Sequence, residues 1–314
     1  MATTATTTTG DSAAAEPPLV FYDIGHRPPV TETCCSVNPW KARLALNFKA
    51  VPYTTRWVKM PDIRRVRSGL GLPACRKFAD GSDFYTLPIL RDASASSSSS
   101  TAEDGAAGGA VVLLGDSFDI AVHLQRAYPT AGAGDLFPRR LQQQLGNFAV
   151  DLSSIIPLSE TTQTGSGYPE YAAFNTSVDA AFSAHVALIV DGLPLDPETA
   201  DATRAEFVQR AGLRSWDDFR LEGEARAKMV ASLRNTLGDL AKLFPREDAT
   251  TTTGGTAGPF LMGHTTTYAD FIVGAWLRML CVTLPADEWQ AVRGWHGGVF
   301  GRLHDALDRW AEVK

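Results

Sequence analysis

The sequence predicts a small α/β module followed by an all-α bundle. Strand-like and helix-like segments alternate as far as Tyr128, no convincing strand pattern follows that point, and apolar residues at helical spacing fill the remainder. A chain of 314 residues is long enough for two domains, and its 44% hydrophobic content can fill a sizeable core.

Residues 1–18 are rich in Ala and Thr and have neither the basic nor the apolar region of a secretory signal, so a disordered tail is expected. The run Leu19–Ile24, closed by Gly25, reads as a short buried strand. Trp40, Leu44 and Phe48 then recur at helical spacing, with Pro39 where a first turn tolerates it, which predicts a helix over Pro39–Lys49. β-Branched and aromatic residues in Tyr53–Val58 predict a second strand, and Pro61–Leu70 a short, partly basic helix. Phe84–Leu90 reads as a third strand with Pro88 inside it, and Ala110–Leu114 as a fourth. Between them, residues 92–109 hold the serine run Ser96–Ser100 and bury too little to offset their ordering entropy, so a disordered hairpin expansion is expected. A helix over Asp116–Tyr128, stopped by Pro129, completes a domain assigned to residues 19–129. In the helical domain, 130–314, apolar stripes predict helices over Leu141–Ile156, Tyr168–Val190, Glu222–Phe244, Thr267–Thr283 and Trp289–Trp310.

Composition narrows the function classes. A net charge of −6 with 20% charged residues lacks the basic excess that binding nucleic-acid phosphates needs. No stretch approaches the ~18 consecutive apolar residues of a membrane span. Four cysteines, two of them the adjacent Cys34 and Cys35, are too few for a disulfide scaffold and predict a reducing, cytoplasmic setting. The six histidines are scattered without metal-ligand spacing, and neither a glycine-rich phosphate loop nor a Gly-x-Ser-x-Gly elbow occurs. Arg64, Arg65 and Arg67 read as a solvated basic face, and Trp216, Trp276, Trp289 and Trp295 as core.

Four places carry a family resemblance: Ser36-Val-Asn-Pro-Trp-Lys-Ala-Arg-Leu-Ala-Leu46 with Val51-Pro-Tyr53; Thr86-Leu-Pro-Ile-Leu90; Gly115-Asp-Ser117; and Thr267-Tyr-Ala-Asp270. In this order, with strand, helix, strand and hairpin first and helices behind, the chain resembles glutathione transferases. The Asn-x-Trp-Lys segment and the Pro-Asp-Ile after the second strand look most similar to the fungal etherase-like, serine-type class. The resemblance implies a thioredoxin-like domain that binds glutathione, a helical domain that takes a hydrophobic electrophile such as an aryl ether, and a homodimer.

The resemblance also implies roles for particular residues. In serine-type transferases the hydroxyl lies nine positions before the alanine of the Ala-Leu pair, which lands on Ser36. Lowering a thiol pKa from about 8.5 by two units takes roughly 2.7 kcal/mol of preferential thiolate stabilisation. A hydroxyl donor at a helix N-terminus can supply it. The plainer reading is that Ser36 only caps the helix. Cys35 competes for the catalytic role: it would form a mixed disulfide with glutathione and favour thiol exchange or deglutathionylation. A ligand-binding relative without turnover is the third reading. Tyr22 is assigned to packing, because the strand tyrosine of other classes would fall on Phe21. Leu87, before a cis Pro88, is implied to pair with the cysteinyl backbone of glutathione. Asp116 and Ser117, at a helix start, are implied to take its γ-glutamyl ammonium and carboxylate, although Asp116 can equally serve as a cap. Arg76 or Lys77 is expected at its glycine carboxylate. Phe148, Leu152 and the Ser159–Ser166 segment are expected around the electrophile. Thr267 and Asp270 form a capping box with a folding role only.

Overall fold

A computed structural model describes residues 18–77, 81–94, 111–150, 167–245 and 258–314. Residues 1–17, most of the 92–109 insertion, and 151–166, which include Leu152, Ile155, Thr161 and Thr162, lie outside the described residues.

In chain order the first part comprises β1 (Leu19–Gly25), α1 (Val30–Thr33), α2 (Val37–Phe48), β2 (Tyr53–Lys59), α3 (Ile63–Gly69), β3 (Arg76–Lys77), β4 (Asp83–Phe84), β5 (Ile89–Asp92), β6 (Val112–Leu114) and α4 (Ser117–Ala127). The four-stranded sheet runs β2-β1-β5-β6. β1 is parallel to β2, with Leu19 opposite Tyr53, and antiparallel to β5, with Leu19 opposite Asp92; β6 is antiparallel to β5. Side-chain alternation along β1 divides the core. Leu19 and Phe21 enter a large cluster with α2, α4 and the later helices, whereas Val20, Tyr22 and Ile24 enter a smaller one with Val58, Ile63, Leu87 and Ile89. Tyr22 therefore packs, and among the described residues its hydroxyl joins no site.

The predicted strand Phe84–Leu90 is two strands. β4 pairs with β3 in a separate two-stranded ribbon, and β5 begins only after the cis peptide between Leu87 and Pro88, because proline has no N–H to give a ladder.

The second part holds α5 (Gln142–Leu145), α6 (Pro169–Ser183), α7 (Ala200–Ala211), α8 (Gly223–Ala241), α9 (Tyr268–Thr283) and α10 (Ala286–Leu307). Helix α9 is buried along nearly its whole length and packs on α2, α6 and α10. Its capping box is formed as expected: Asp270 accepts from the Thr267 N–H at 2.8 Å and also from the Leu261 N–H at 2.8 Å. The helix predicted over Leu141–Ile156 stops at Leu145, where Gly146 and Asn147, both poor helix formers, follow. Helix α6 ends seven residues before the predicted Val190, in two 3-10 turns. Helix α7 was not anticipated: it buries only Thr203 and has no apolar stripe to read. Helix α10 is kinked at Trp295–Gly298, where His296, Gly297 and Gly298 take positive φ values of 51°, 75° and 77°. Among the described residues no helix is long and apolar enough to cross a membrane.

Candidate functional site

Helix α2 is held from both sides. Arg43 Nη2 meets the Asp23 carboxylate of β1 at 2.7 Å, Arg43 Nη1 donates to Tyr53 Oη at 3.2 Å, and the guanidinium lies over the Phe21 ring at 5.1 Å. Lys41, fully buried, reaches the other way, to Asp179 at 2.6 Å and Asn175 at 2.8 Å on α6; Trp276 of α9 donates to the same Asp179 oxygen. A pair this deeply desolvated is tolerated because further hydrogen bonds surround it. The loop entering α2 is fixed too, since Trp40 Nε1 donates to the Cys34 carbonyl at 2.7 Å.

Ser36 sits at the N-cap position of α2, but its side chain makes no capping bond. Its Oγ lies 2.9 Å from Nε2 of His26, and both residues are buried. Burial lowers the His26 pKa to about 4, so the imidazole is neutral at physiological pH. Capping alone therefore does not account for Ser36. Cys35 is fully buried, 3.9 Å from the same Nε2, and burial pushes its thiol far up; Cys34 is pushed up to about 12 by the same cause. Both are poor nucleophiles, because thiolate is the reactive form.

Helix α4 starts differently. Asp116 caps it, one oxygen accepting from the N–H groups of Phe118 at 2.8 Å and Asp119 at 3.1 Å. Burial raises the Asp116 pKa; burial and the neighbouring Asp116 carboxylate raise Asp119 to about 6. Ser117 is 1% exposed and its Oγ has no hydrogen-bond partner, while its carbonyl accepts from Tyr268 of α9 at 3.1 Å.

Leu87, Pro88, Asp116 and Ser117 line one cavity of about 300 Å3, together with Asn38, Cys75 and Asp119. Two of its lining residues, Ser117 and Asn38, each carry a buried side-chain oxygen, Oγ and Oδ1, with no hydrogen-bond partner among the described residues. An unmade hydrogen bond at a buried atom costs about 1–3 kcal/mol, which a polar ligand that reached it would recover. Ser36 is not among the lining residues; Asn38, two positions further into α2, is the point where that helix reaches the cavity.

Sequence reasoning missed Arg67. Far from belonging to a solvated face, it is 4% exposed and lines the cavity, donating through Nε to the Pro73 carbonyl at 2.7 Å and through Nη1 to the carbonyls of Thr86 and Gly115. A Cβ at Gly115 would come within 2.4 Å of Arg67 Nη2 and displace the guanidinium. Arg76 stacks over Phe84 and Lys77 pairs with Asp83 at 2.6 Å, and neither lines the cavity. Phe148 is a core residue packed edge-on against Phe174. His26, ten residues from Ser36, has no signal in sequence. Among the described residues no group of three or more His, Cys, Asp or Glu is placed to hold a metal ion.

The family model for the glutathione S-transferase C-terminal domain matches residues 172–310. The glutathione S-transferase-like protein ustS of Aspergillus flavus is 26% identical over 310 residues, covering 95% of this chain and 92% of that protein. The chain is thus similar to glutathione transferases over nearly its whole length, with the family model confined to its helical part. Solved glutathione transferases share its fold. GSTFuA2 of Phanerochaete chrysosporium superposes with a TM-score of 0.67 at 25% identity, over 95% of this chain and 99% of that one. A glutathione S-transferase of Ceriporiopsis subvermispora, solved in complex with glutathione, gives 0.69 at 24% identity, over 94% and 98%. The glutathione transferase fold is thus a thioredoxin-like sheet region followed by helices, as the element order predicted.

Proposed function

We propose that this chain is a serine-type glutathione transferase whose cavity beneath α2 and α4 receives glutathione. The observation that carries the reading is the convergence of Leu87, Pro88, Asp116 and Ser117 on one cavity with an orphaned Ser117 hydroxyl. The γ-glutamyl carboxylate meets that hydroxyl and the α4 N-terminus, where backbone N–H groups and the helix dipole favour an anion. The ammonium meets Asp116, whose second oxygen is not used in capping. The thiolate lies toward the start of α2, where the helix end and the Ser36 hydroxyl stabilise it. Its sulfur attacks an electrophilic carbon of a hydrophobic co-substrate; the S–C bond forms and the leaving group departs with its electron pair, an aryl oxide when the substrate is an aryl ether. The similarity to fungal proteins, one of them solved with glutathione, supports the same reading. The burial and raised pKa of Cys35 weigh against thiol transfer through that residue.

Calorimetric titration with glutathione, followed by conjugation and ether-cleavage assays on Ser36→Ala and Cys35→Ser, tests this. Binding by the wild type, with conjugation lost only in Ser36→Ala, is expected. Absence of glutathione binding, or loss confined to Cys35→Ser, refutes it.

A further inference from the structure

We infer that His26 is a positioning residue for the thiolate-stabilising hydroxyl: its Nε2–H donates to Ser36 Oγ and so aims the Ser36 O–H at the glutathione sulfur. This rests on the Ser36 reading above.

Among the described residues Ser36 Oγ has one side-chain partner. Its Oγ makes no bond to the N–H groups of α2 and lies 2.9 Å from His26 Nε2. A hydroxyl with a single proton can use it toward the imidazole or toward a ligand, and the tautomer of His26 decides which. If Nε2 is a bare acceptor, the serine proton is spent on it and the oxygen presents lone pairs to an anionic sulfur, which is repulsive. If Nε2 carries the proton, Oγ accepts it and the O–H is left to donate outward. Two donors in series also polarise each other, so the terminal O–H becomes the stronger one.

The surroundings fit a fixed, neutral donor. His26 is 4% exposed and stays uncharged across the working range, so it has a single N–H to place. Its backbone setting is rigid: it follows the last residue of β1, and the next N–H, that of Arg27, donates to the Pro194 carbonyl at 2.8 Å. Cys35 Sγ, the other group near Nε2, is at 3.9 Å, and burial keeps it as the neutral thiol, so it does not compete as an anion for the imidazole proton.

The test is the pKa of glutathione bound to the full-length protein, read from thiolate absorbance, for wild type, His26→Leu, His26→Gln, Ser36→Ala and the His26→Leu/Ser36→Ala double variant. Losing one neutral hydrogen bond from the chain corresponds to roughly a three- to tenfold smaller thiolate fraction near neutrality. We expect that loss in His26→Leu, restoration in His26→Gln, whose amide nitrogen replaces Nε2, and no added loss from His26→Leu once Ser36 is alanine. Equal effects of His26→Leu with and without Ser36 overturn the inference, because His26 would then act on the fold at large. A raised thiol pKa in Ser36→Ala with none in His26→Leu overturns it and leaves the Ser36 reading standing; an unchanged pKa in Ser36→Ala overturns both. Nitrogen-15 spectra of the wild type with glutathione bound need no variant to fold: protonation at Nε2 is expected, and protonation at Nδ1 alone refutes the proposal.

Discussion

Two helix starts, those of α2 and α4, meet the same cleft and are treated in opposite ways. At α4 the cap is spent on the helix itself, since Asp116 binds the N–H groups of Phe118 and Asp119. At α2 the cap residue turns away from its helix, and the Ser36 hydroxyl pairs with His26 instead. A helix that forgoes its cap gives up about 1 kcal/mol of local stability. Helix α2 can forgo it because Arg43 and Lys41 anchor it to the sheet and to α6. The two helices are thus held by different means: tertiary ties fix α2 without a side-chain cap, whereas α4 carries its own cap.

The contrast can be broken at its anchors first. Lys41→Ala leaves the buried Asp179 carboxylate without its counter-ion, with Trp276 still donating to it, and should cost about 3–5 kcal/mol in urea unfolding; a loss below about 1 kcal/mol would mean that α2 is held by something else. Asp116→Ala removes both cap and ammonium partner. It should lower stability by about 1 kcal/mol and weaken glutathione binding roughly tenfold by calorimetry; an unchanged affinity would confine Asp116 to capping.

Asp119 sharpens the account of α4 through pH. Its folded pKa, about 6, stands above the ordinary 3.8, so the folded state holds the proton more tightly and stability falls as pH rises from 3.8 through 6. Asp119→Asn should therefore gain about 1 kcal/mol over wild type above pH 6, a value discounted for the water this carboxyl still meets, and nothing below pH 4. Melting curves across that range check the sign. The smallest stability effect belongs to Ser36→Ala, about 0.5 kcal/mol for one neutral hydrogen bond with no cap contribution. A loss exceeding that of Asp116→Ala would reverse the comparison.

Much of this arrangement is legible in the sequence where the signal is local. The periodicity of Trp40, Leu44 and Phe48 gives α2, the compact apolar run Leu19–Ile24 gives β1, and Thr267 with Asp270 three residues on announces α9. Leu87, Pro88, Asp116 and Ser117 could be singled out because each lies in a recognisable short motif, and they do share one cavity. What escaped depends on contacts across the fold. A buried Arg67 reads like the exposed Arg65 beside it, since only the carbonyls of Pro73, Thr86 and Gly115, brought from three different segments, make its burial tolerable. His26 approaches Ser36 through a loop with no period to follow. Helix α7 lacks an apolar face, and α10 bends at Gly297 and Gly298 inside a stretch that otherwise reads as continuous.

The Lys41–Asp179 contact also limits how the molecule can breathe. Swinging the helical layer off α2 would strand an ammonium and a carboxylate in an apolar gap before water could reach them, a penalty of several kcal/mol per ion. Helix α2, which lends Asn38 to the cavity, is therefore clamped between the sheet and the helical layer.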